Sequence, residues 1–300
     1  MRWARRDFLR AGAVLGAAMT AGCAATVGGS PRPDPSARPA PEGDAGTVTP
    51  DVPTALTVGI LAYPPYTIQD GDGVTGPVPE VALAVLDQLG VSDVKFQVMS
   101  QEEQLLTAMA AGAIDLGGGL TIRPDLCGHL TYSAPDHVSG TAFAVAAGNP
   151  KGLRTYADVV ATGAKLAVLT GLPEDGDAVA AGVPDGNLVR LPDPTQLLDA
   201  VRNGPADCFA FDDISLRDMV KNNGQGLEVS DPFLPDGRPP LIGAYCFPTD
   251  ADAELVASFN HGLRDLHASG DWGQIVAPFG FTEFNAPPED LTTEKACAGG

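Results

Sequence analysis

Cysteine and histidine are the residues of this 300-residue sequence whose spacing could bind a metal ion or form covalent bonds. No Cys-x-x-Cys pair occurs, and the histidines at positions 129, 137, 261 and 267 form neither a His-x-x-x-His nor a His-Glu-x-x-His pattern. We recognise no Gly-x-Ser-x-Gly motif and no pairing of a nucleophile with a general base. We therefore expect no catalytic residue, no metal site and no cofactor.

Cys23 lies in a segment typical of lipid attachment. The stretch TAGC at 20–23 resembles a lipobox, in which the cysteine is lipidated as it becomes the new N-terminus. The stretch RRDFLR at 5–10 and the small apolar residues after it resemble a twin-arginine export signal, which is an address and not an anchor. The alternative is an N-terminal transmembrane helix, but the apolar stretch at 11–21 is far shorter than the ~20 residues of a bilayer span. We expect residues 1–22 to be a signal peptide and Cys23 to tether the chain to the outer face of the cell membrane.

Charge and composition restrict what the exported part can do. The formal net charge is −20, and loss of the predicted signal, with four arginines and one aspartate, would bring it to −23. Such a surface repels nucleic acid. Residues 24–53 are rich in Pro, Ala, Gly, Ser and Asp, which together with Cys23 indicates a flexible tether over 23–53. The remaining ~245 residues are enough for one large or two ordinary domains.

Four cysteines remain when Cys23 is set aside, and disulfides persist in an exported protein. Four cysteines allow three pairings, and spacing alone does not choose among them. Buried free thiols are the alternative, because a chain of this size does not need disulfides to fold. The four are Cys127, Cys208, Cys246 and Cys297.

Strands and helices alternate along the chain in two runs. Hydrophobic periodicity and glycine stops predict strands at 56–61, 94–99 and 114–118, with helices at 78–89 and 102–111 between them. After Gly152 the same rules predict helices at 156–162, 174–181, 194–203 and 214–221, and strands at 165–169, 187–191 and 206–211. This alternation is typical of mostly parallel sheets with helices on their faces.

Two apolar segments fit neither run, namely Gly140–Ala146 and Leu241–Phe247. Since they bracket the second run, we expect them to be two hinge strands that cross between lobes. Lobe 1 would comprise 54–143 plus 244–300, and lobe 2 would comprise 144–243. A long amphipathic helix over 255–266 and an aromatic-rich segment at 272–284 would pack on lobe 1. Two α/β lobes of this kind can close on a ligand that lies in the cleft at the carboxyl ends of their strands.

The order of several short motifs is similar to that of the family 3 extracellular solute-binding proteins of ABC importers, over residues ~54–297. The closest likeness is to ectoine- and hydroxyectoine-binding proteins. The motifs of the family are PPY at 64–66, GPVPE at 76–80, AGAID at 111–115, LTIRPD at 120–125, YSAP at 132–135 and ADCFAFDD at 206–213. Those shared with the ectoine binders are AAG at 110–112, RPDLC at 123–127, GNPKGL at 148–153, AGVP at 181–184 and TTEKAC at 292–297.

The resemblance implies an α/β, two-lobed periplasmic-binding-protein fold of type II. It also implies a lipid-anchored, extracytoplasmic monomer that captures a small polar solute, either an ectoine-like compatible solute or an amino-acid-like compound. The solute would pass to the ABC permease subunits in the membrane. A dehydratase-like enzyme on the same scaffold and a ligand sensor acting in trans are the alternatives.

The resemblance also assigns ligand-binding residues. Tyr66 corresponds to an aromatic wall that stacks on cations, and Tyr63 stands where members often have a polar or acidic residue; both could instead be loop packing. Asp212 stands where members pair an acid with a ligand amine or amidinium, and its neighbour Asp213 could be the N-cap of the next helix. Glu80 corresponds to an acid that starts a helix, and we interpret it as a cap.

Further positions depart from the family pattern. Leu126 stands where members have the arginine that grips a ligand carboxylate, and Pro173 lacks the amide hydrogen that the second lobe commonly offers. Thr170 and Gly171 remain candidates at that helix start, and Gly119 could expose a carbonyl. Thr121 replaces an aromatic residue of the ectoine pattern. Of these departures, Leu126 and Pro173 both weaken the site that family members use for a ligand carboxylate.

The ectoine-like resemblance retains Cys127 and Cys297 and therefore implies a disulfide between them. Cys208 and Cys246 could form a second pair, although one lies in lobe 2 and the other in a predicted crossing strand.

Overall fold

The computed structural model describes residues 52–71 and 73–299. The predicted signal peptide, Cys23 and the predicted tether, except its last two residues, lie outside the described residues. Among the described residues, no helix is both long and apolar enough to cross a membrane.

The described residues form twelve strands and nine α-helices. The strands are β1 (Ala55–Leu61), β2 (Ile68–Asp70), β3 (Gly73–Thr75), β4 (Asp93–Met99), β5 (Leu116–Thr121), β6 (Thr131–Ser139), β7 (Thr141–Ala146), β8 (Leu166–Leu169), β9 (Leu188–Leu191), β10 (Cys208–Asp212), β11 (Leu227–Val229) and β12 (Leu241–Phe247). The helices are α1 (Pro77–Gln88), α2 (Glu102–Ala110), α3 (Tyr156–Thr162), α4 (Pro173–Ala180), α5 (Leu197–Arg202), α6 (Asp213–Asn223), α7 (Ala253–Ser269), α8 (Asp271–Val276) and α9 (Thr293–Cys297).

The first sheet has the strand order β4-β1-β5-β12-β6. Strand β1 pairs in parallel with β4 and β5, as the strand–helix alternation predicts, and β12 pairs antiparallel with β5 and β6. Its core includes buried residues of α7 and of the aromatic-rich segment, namely Leu255, Phe259, Leu263, Leu266, Trp272 and Phe281. Both segments thus pack in the core of the first sheet, and the predicted lobe boundaries stay a prediction.

The second sheet has the order β11-β7-β10-β8-β9. Strand β8 is parallel to β9 and β10, while β7 is antiparallel to β10 and β11. Apolar side chains on both faces of the sheet are buried, including Phe143, Val168 and Phe209. Since helices cover both faces, the inner strands β7, β8 and β10 are mostly apolar and carry little alternation.

The chain passes between the sheets at Gly140, where β6 ends and β7 begins, and returns between Phe233 and β12. The two predicted hinge strands therefore each lie in one sheet, β7 in the second and β12 in the first. Gly140 itself is closely packed, since a Cβ there would come within 2.7 Å of the Phe233 carbonyl oxygen and 2.9 Å of the Phe284 ring. Strand β6, which we did not predict, carries Pro135 and has register shifts against β12 on both sides of Ala244, so its alternation is interrupted.

Cys127 and Cys297 form a disulfide with their Cα atoms 5.9 Å apart, the pair that the resemblance implied. The bond joins α9 to the turn before β6. Cys208 and Cys246 are buried free thiols, so the second possible pair does not form.

Candidate ligand-binding site

Asp212 and Tyr66 meet at the carboxyl ends of two strands from different sheets. Tyr66 lies in the segment that follows β1, and Asp212 is the last residue of β10. The Tyr66 hydroxyl donates a hydrogen bond of 2.9 Å to Asp212 Oδ1. The strand ends of parallel sheets are where ligands of such folds bind.

Asp212 also begins helix α6. Its Oδ1 accepts hydrogen bonds from the backbone amides of Ile214, at 3.2 Å, and Ser215, at 3.4 Å, as an N-cap does. Asp212 is 9% exposed, and its Oδ2 is buried without a hydrogen-bond partner. Burial raises the pKa of this carboxyl, with the nearby charge of Asp213 acting in the same direction. Asp212 therefore holds one oxygen in the fold and keeps the other available.

Asp213 is not the N-cap, contrary to our alternative interpretation. It is fully buried and accepts hydrogen bonds from Arg217 Nη1 at 2.6 Å, Asn285 Nδ2 at 3.0 Å and the Gly140 amide at 3.0 Å. These partners connect α6 with the point where the chain changes sheet. The two adjacent aspartates thus differ, since Asp213 is held inside the fold whereas Asp212 caps α6 and lines a cavity.

The tyrosines form an aromatic wall beside Asp212. Tyr63 stacks on Tyr66 with ring centroids 5.7 Å apart and an interplanar angle of 23°. The Tyr66 ring also packs against the His137 ring, with the centroids 5.4 Å apart. It meets Phe281 edge to face, with the centroids 5.9 Å apart. Since Tyr63 is 52% exposed, one face of the wall is open to a ligand. Burial and the charges of Asp212 and Glu174 raise the pKa of Tyr63, so that hydroxyl stays protonated.

Glu174 is a site residue that our reading of the sequence missed. It lies in the first turn of α4 and lines a small cavity together with Asp212 and both connections between the sheets. Glu174 is 8% exposed, and its Oε2 is buried without a hydrogen-bond partner. Burial raises its pKa to about 7, and the charge of Asp212 contributes in the same direction. The only signal in the sequence was an acid directly after Pro173, which is also typical of an ordinary helix start.

The cations near the cavity are engaged elsewhere. Arg238 lines the cavity, but its Nε lies 2.6 Å from Asp177 Oδ1. Arg217 is paired with Asp213. Within the described ranges, no lysine or arginine forms an ion pair with Glu174 or Asp212. The cavity therefore has a net negative charge.

The segment at 120–126 offers no arginine to the cleft. Arg123 makes two hydrogen bonds to Glu102, at 2.6 and 3.1 Å, and Asp125 lies 3.5 Å away. Leu126 is buried in an apolar cluster that includes Leu130 and Ile122. Glu80 lies one turn inside α1, where its Oε1 accepts a hydrogen bond from Thr75, and Gly76 is the N-cap residue. Glu80 is therefore not the cap that we expected.

Four predicted site residues are at strand ends but not in the Tyr66–Asp212 group. Gly119 has φ +84° near the end of β5, and the carbonyl of Thr121 accepts a hydrogen bond from the Tyr132 hydroxyl. The Thr170 amide donates to the Leu191 carbonyl, and Gly171 has φ +88°. Between described residues, no hydrogen bond joins these four to Tyr66 or Asp212, and none of them lines the cavity. Their contact with a ligand stays a prediction.

Comparison with known proteins identifies the scaffold. The model of the bacterial extracellular solute-binding proteins, family 3, matches residues 56–282. A probable amino-acid ABC transporter periplasmic-binding protein of Sinorhizobium fredii is 29% identical over 251 residues, which are 81% of this chain and 83% of that protein.

Two solved structures resemble the chain. EhuB in complex with hydroxyectoine is 31% identical with a TM-score of 0.55, over 82% of this chain and 95% of that one. The unliganded, open L-cystine solute receptor of Neisseria gonorrhoeae is 24% identical with a TM-score of 0.65, over 78% and 95% of the two chains, and shows the shared fold. The predicted type II periplasmic-binding-protein fold is thereby confirmed, and these relatives are binding proteins rather than enzymes. The chain belongs to family 3 of the bacterial extracellular solute-binding proteins and is a solute-binding protein of the amino-acid ABC transporter type.

Proposed function

We propose that this chain captures a small polar solute between two lobes that close about a hinge, and delivers the solute to the permease of an ABC importer. Each lobe would contain one of the two sheets. The chain would pass between the lobes at Gly140 and again in the segment before β12. The permease partner follows from the family.

The observation that carries this proposal is the group formed by Tyr66, Asp212 and Glu174. Tyr66 follows a strand of the first sheet, and the two acids lie at the end of β10 and the start of α4, beside the second sheet. A solute touching all three would contact both lobes at once. Such a solute stabilises the closed arrangement by its differential affinity for it.

The solute class that we propose is an ectoine-like compatible solute or an amino-acid-like compound. The similarity to EhuB, a structure that contains hydroxyectoine, supports the first, and the similarity to an amino-acid binding protein supports the second. The aromatic wall of Tyr63 and Tyr66 suits a solute with a delocalised cation.

Solute capture can be tested by thermal unfolding of the purified chain with and without candidate solutes. A bound solute adds RT ln(1 + [L]/Kd) to stability, which is about 4 kcal/mol at 1,000 times Kd. Ectoine, hydroxyectoine, betaines, the amino acids and polyamines form the panel. A dose-dependent rise in Tm with at least one of them is expected. A flat response across the whole panel would count against solute capture.

We further propose that Cys23 carries a lipid and holds the chain at the outer face of the cell membrane. The lipobox-like TAGC at 20–23 supports this. Metabolic labelling with a fatty-acid analogue should label the wild-type chain and not the Cys23→Ala variant. Equal labelling of both, or of neither, would exclude Cys23 as the anchor.

A further inference from the structure

We propose that the solute is a small organic cation without a carboxylate group, held between the Glu174 and Asp212 carboxylates and the tyrosine wall. This inference rests on the proposed solute capture. It narrows the solute class proposed for the same site to amino-acid-like cations that lack a carboxylate, and thereby sets ectoine aside.

Two buried carboxylate oxygens lack a partner at the cavity. Glu174 Oε2 and Asp212 Oδ2 are both buried and accept no hydrogen bond, and both residues are more than nine-tenths buried. A buried carboxylate needs a charged or hydrogen-bonding partner, and a cationic ligand with two or more N–H groups would supply one to each oxygen.

The charges that face this cavity leave it acidic. Asp177 and Arg238 are paired with each other, and Asp213 is paired with Arg217. Glu174 and Asp212 remain, with the hydroxyls of Tyr63 and Tyr66 as neutral neighbours. A zwitterion would bring its own negative charge toward both acids, whereas a simple cation would not.

The usual sources of carboxylate recognition are missing. Leu126 is apolar and buried, and Arg123 is held by Glu102. At the start of α4 the Leu172 amide donates to the Leu169 carbonyl, and Pro173 has no amide hydrogen. The 120–126 segment therefore offers a ligand carboxylate no free guanidinium, and neither Leu172 nor Pro173 offers it a free amide.

The aromatic wall favours a planar cation. Tyr63 stacks on Tyr66 with one face of its ring, and because the ring is half-exposed its other face is left for a planar group. Guanidinium and amidinium groups stack on such faces and can donate two parallel hydrogen bonds to a carboxylate. We therefore place guanidines and amidines within the substrate class, together with primary amines, which have no planar face but whose N–H groups can also bond to the two carboxylates.

The test uses matched pairs that differ only by a carboxylate. Calorimetric titration of the full chain at pH 8 compares agmatine with arginine and putrescine with ornithine, with ectoine as a third zwitterion. We expect at least one decarboxylated member to bind, and to bind at least about 10-fold more tightly than its amino acid. Glu174→Gln and Asp212→Asn should each weaken that binding by at least about 10-fold, while the exposed Asp250→Asn should leave it unchanged. The melting temperature of each variant without solute checks that it is folded.

The outcomes separate this inference from the proposed function. Binding of an amino acid or ectoine as tightly as, or more tightly than, the carboxylate-free compounds would overturn the inference and leave solute capture intact. Binding of a cation that is unaffected by both acid substitutions would overturn the inference as well. If no compound of the wider solute panel binds either, solute capture itself is contradicted.

Discussion

The Tyr66 hydroxyl and the Asp212 carboxylate lie 2.9 Å apart, although 146 positions separate the two residues in the sequence. Tyr66 follows a strand of the first sheet and Asp212 ends a strand of the second. The bond therefore connects the two sheets at the mouth of the site. It also fixes Asp212 Oδ1, whereas Oδ2 is buried without a hydrogen-bond partner.

Removing the Tyr66 hydroxyl should destabilise the chain. A hydrogen bond to a charged acceptor contributes about 1.5–3 kcal/mol, and since Asp212 Oδ1 keeps its two helix amides, we expect Tyr66→Phe to cost about 1.5 kcal/mol. Urea denaturation at pH 7 measures the change. Tyr63→Phe, on a half-exposed ring, is the control and should stay within about 0.5 kcal/mol of the wild type. Equal losses in the two variants would mean that the Tyr66–Asp212 bond contributes nothing.

Glu174 should make stability depend on pH. Its pKa is about 7 in the folded chain against 4.5 for the free group, so the folded state keeps a proton that the unfolded state loses. This stabilisation is fully present below about pH 4.5 and is lost as the pH rises through 7, a difference of roughly 3 kcal/mol. Glu174→Gln should lose this dependence and gain stability relative to the wild type between pH 5 and pH 8. Free energies of unfolding of both proteins at pH 5 and at pH 8 measure this relative gain.

The control for this experiment is Glu103→Gln, which replaces an exposed acid on α2. Its change in stability between pH 5 and pH 8 should match that of the wild type. If the stability of Glu174→Gln also changed with pH in parallel with that of the wild type, the burial of Glu174 and its raised pKa would be contradicted.

The ion pair beneath the site should be important for stability. Arg217 Nη1 lies 2.6 Å from Asp213 Oδ2, and the Asp213 side chain is fully buried. Replacing Arg217 by Met leaves a buried charge without its cation, which costs about 3–5 kcal/mol. Arg217→Lys keeps the positive charge and should lose less stability than Arg217→Met. Arg264→Met, at an exposed position, should lose almost no stability. A loss below about 1 kcal/mol for Arg217→Met, measured by urea denaturation, would contradict this role.

The disulfide should stabilise the chain through the long segment that it closes. Cys127 and Cys297 are 170 positions apart, and loss of such a bond typically costs about 2–5 kcal/mol. The Cys127→Ser/Cys297→Ser double variant should show this loss in the free energy of unfolding. Peptide mapping without reduction should find these two cysteines linked and Cys208 and Cys246 as thiols. Recovery of Cys127 or Cys297 as an alkylated thiol would show that the bond is not formed.

Much of the fold could be predicted because the spacing of apolar residues along a segment indicates whether it is a helix or a strand and which of its faces is buried. Helix α3 has the predicted bounds, and β1, β8 and α4 agree within one residue at each end. Strand β6 was missed because Pro135 interrupts its alternation. The predicted hinge strands, now β7 and β12, were divided between the two lobes. An apolar segment indicates that a strand is buried, but it does not indicate which sheet the strand joins.

The site was less predictable, since its contacts join distant parts of the sequence. Asp212 and Asp213 are adjacent acids, and only the turn from β10 into α6 decides that the first caps the helix and the second is buried. Glu174 was missed because an acid in a first helical turn is common, and its burial depends on the segment before β12. Leu126 and Pro173, in contrast, could be recognised directly, because leucine has no guanidinium and proline no amide hydrogen with which to bind a ligand carboxylate.

The most direct test of solute capture at Asp212 is calorimetric titration at pH 8 with the solute that gives the largest thermal shift. Asparagine can still accept hydrogen bonds at the start of α6, so Asp212→Asn should fold while it loses the charge. We expect one solute per wild-type chain and a loss of about 1.5–3 kcal/mol of binding free energy in Asp212→Asn. The exposed Asp250→Asn control should bind like the wild type. Unchanged affinity in Asp212→Asn would remove Asp212 from the site and contradict the proposed mode of capture.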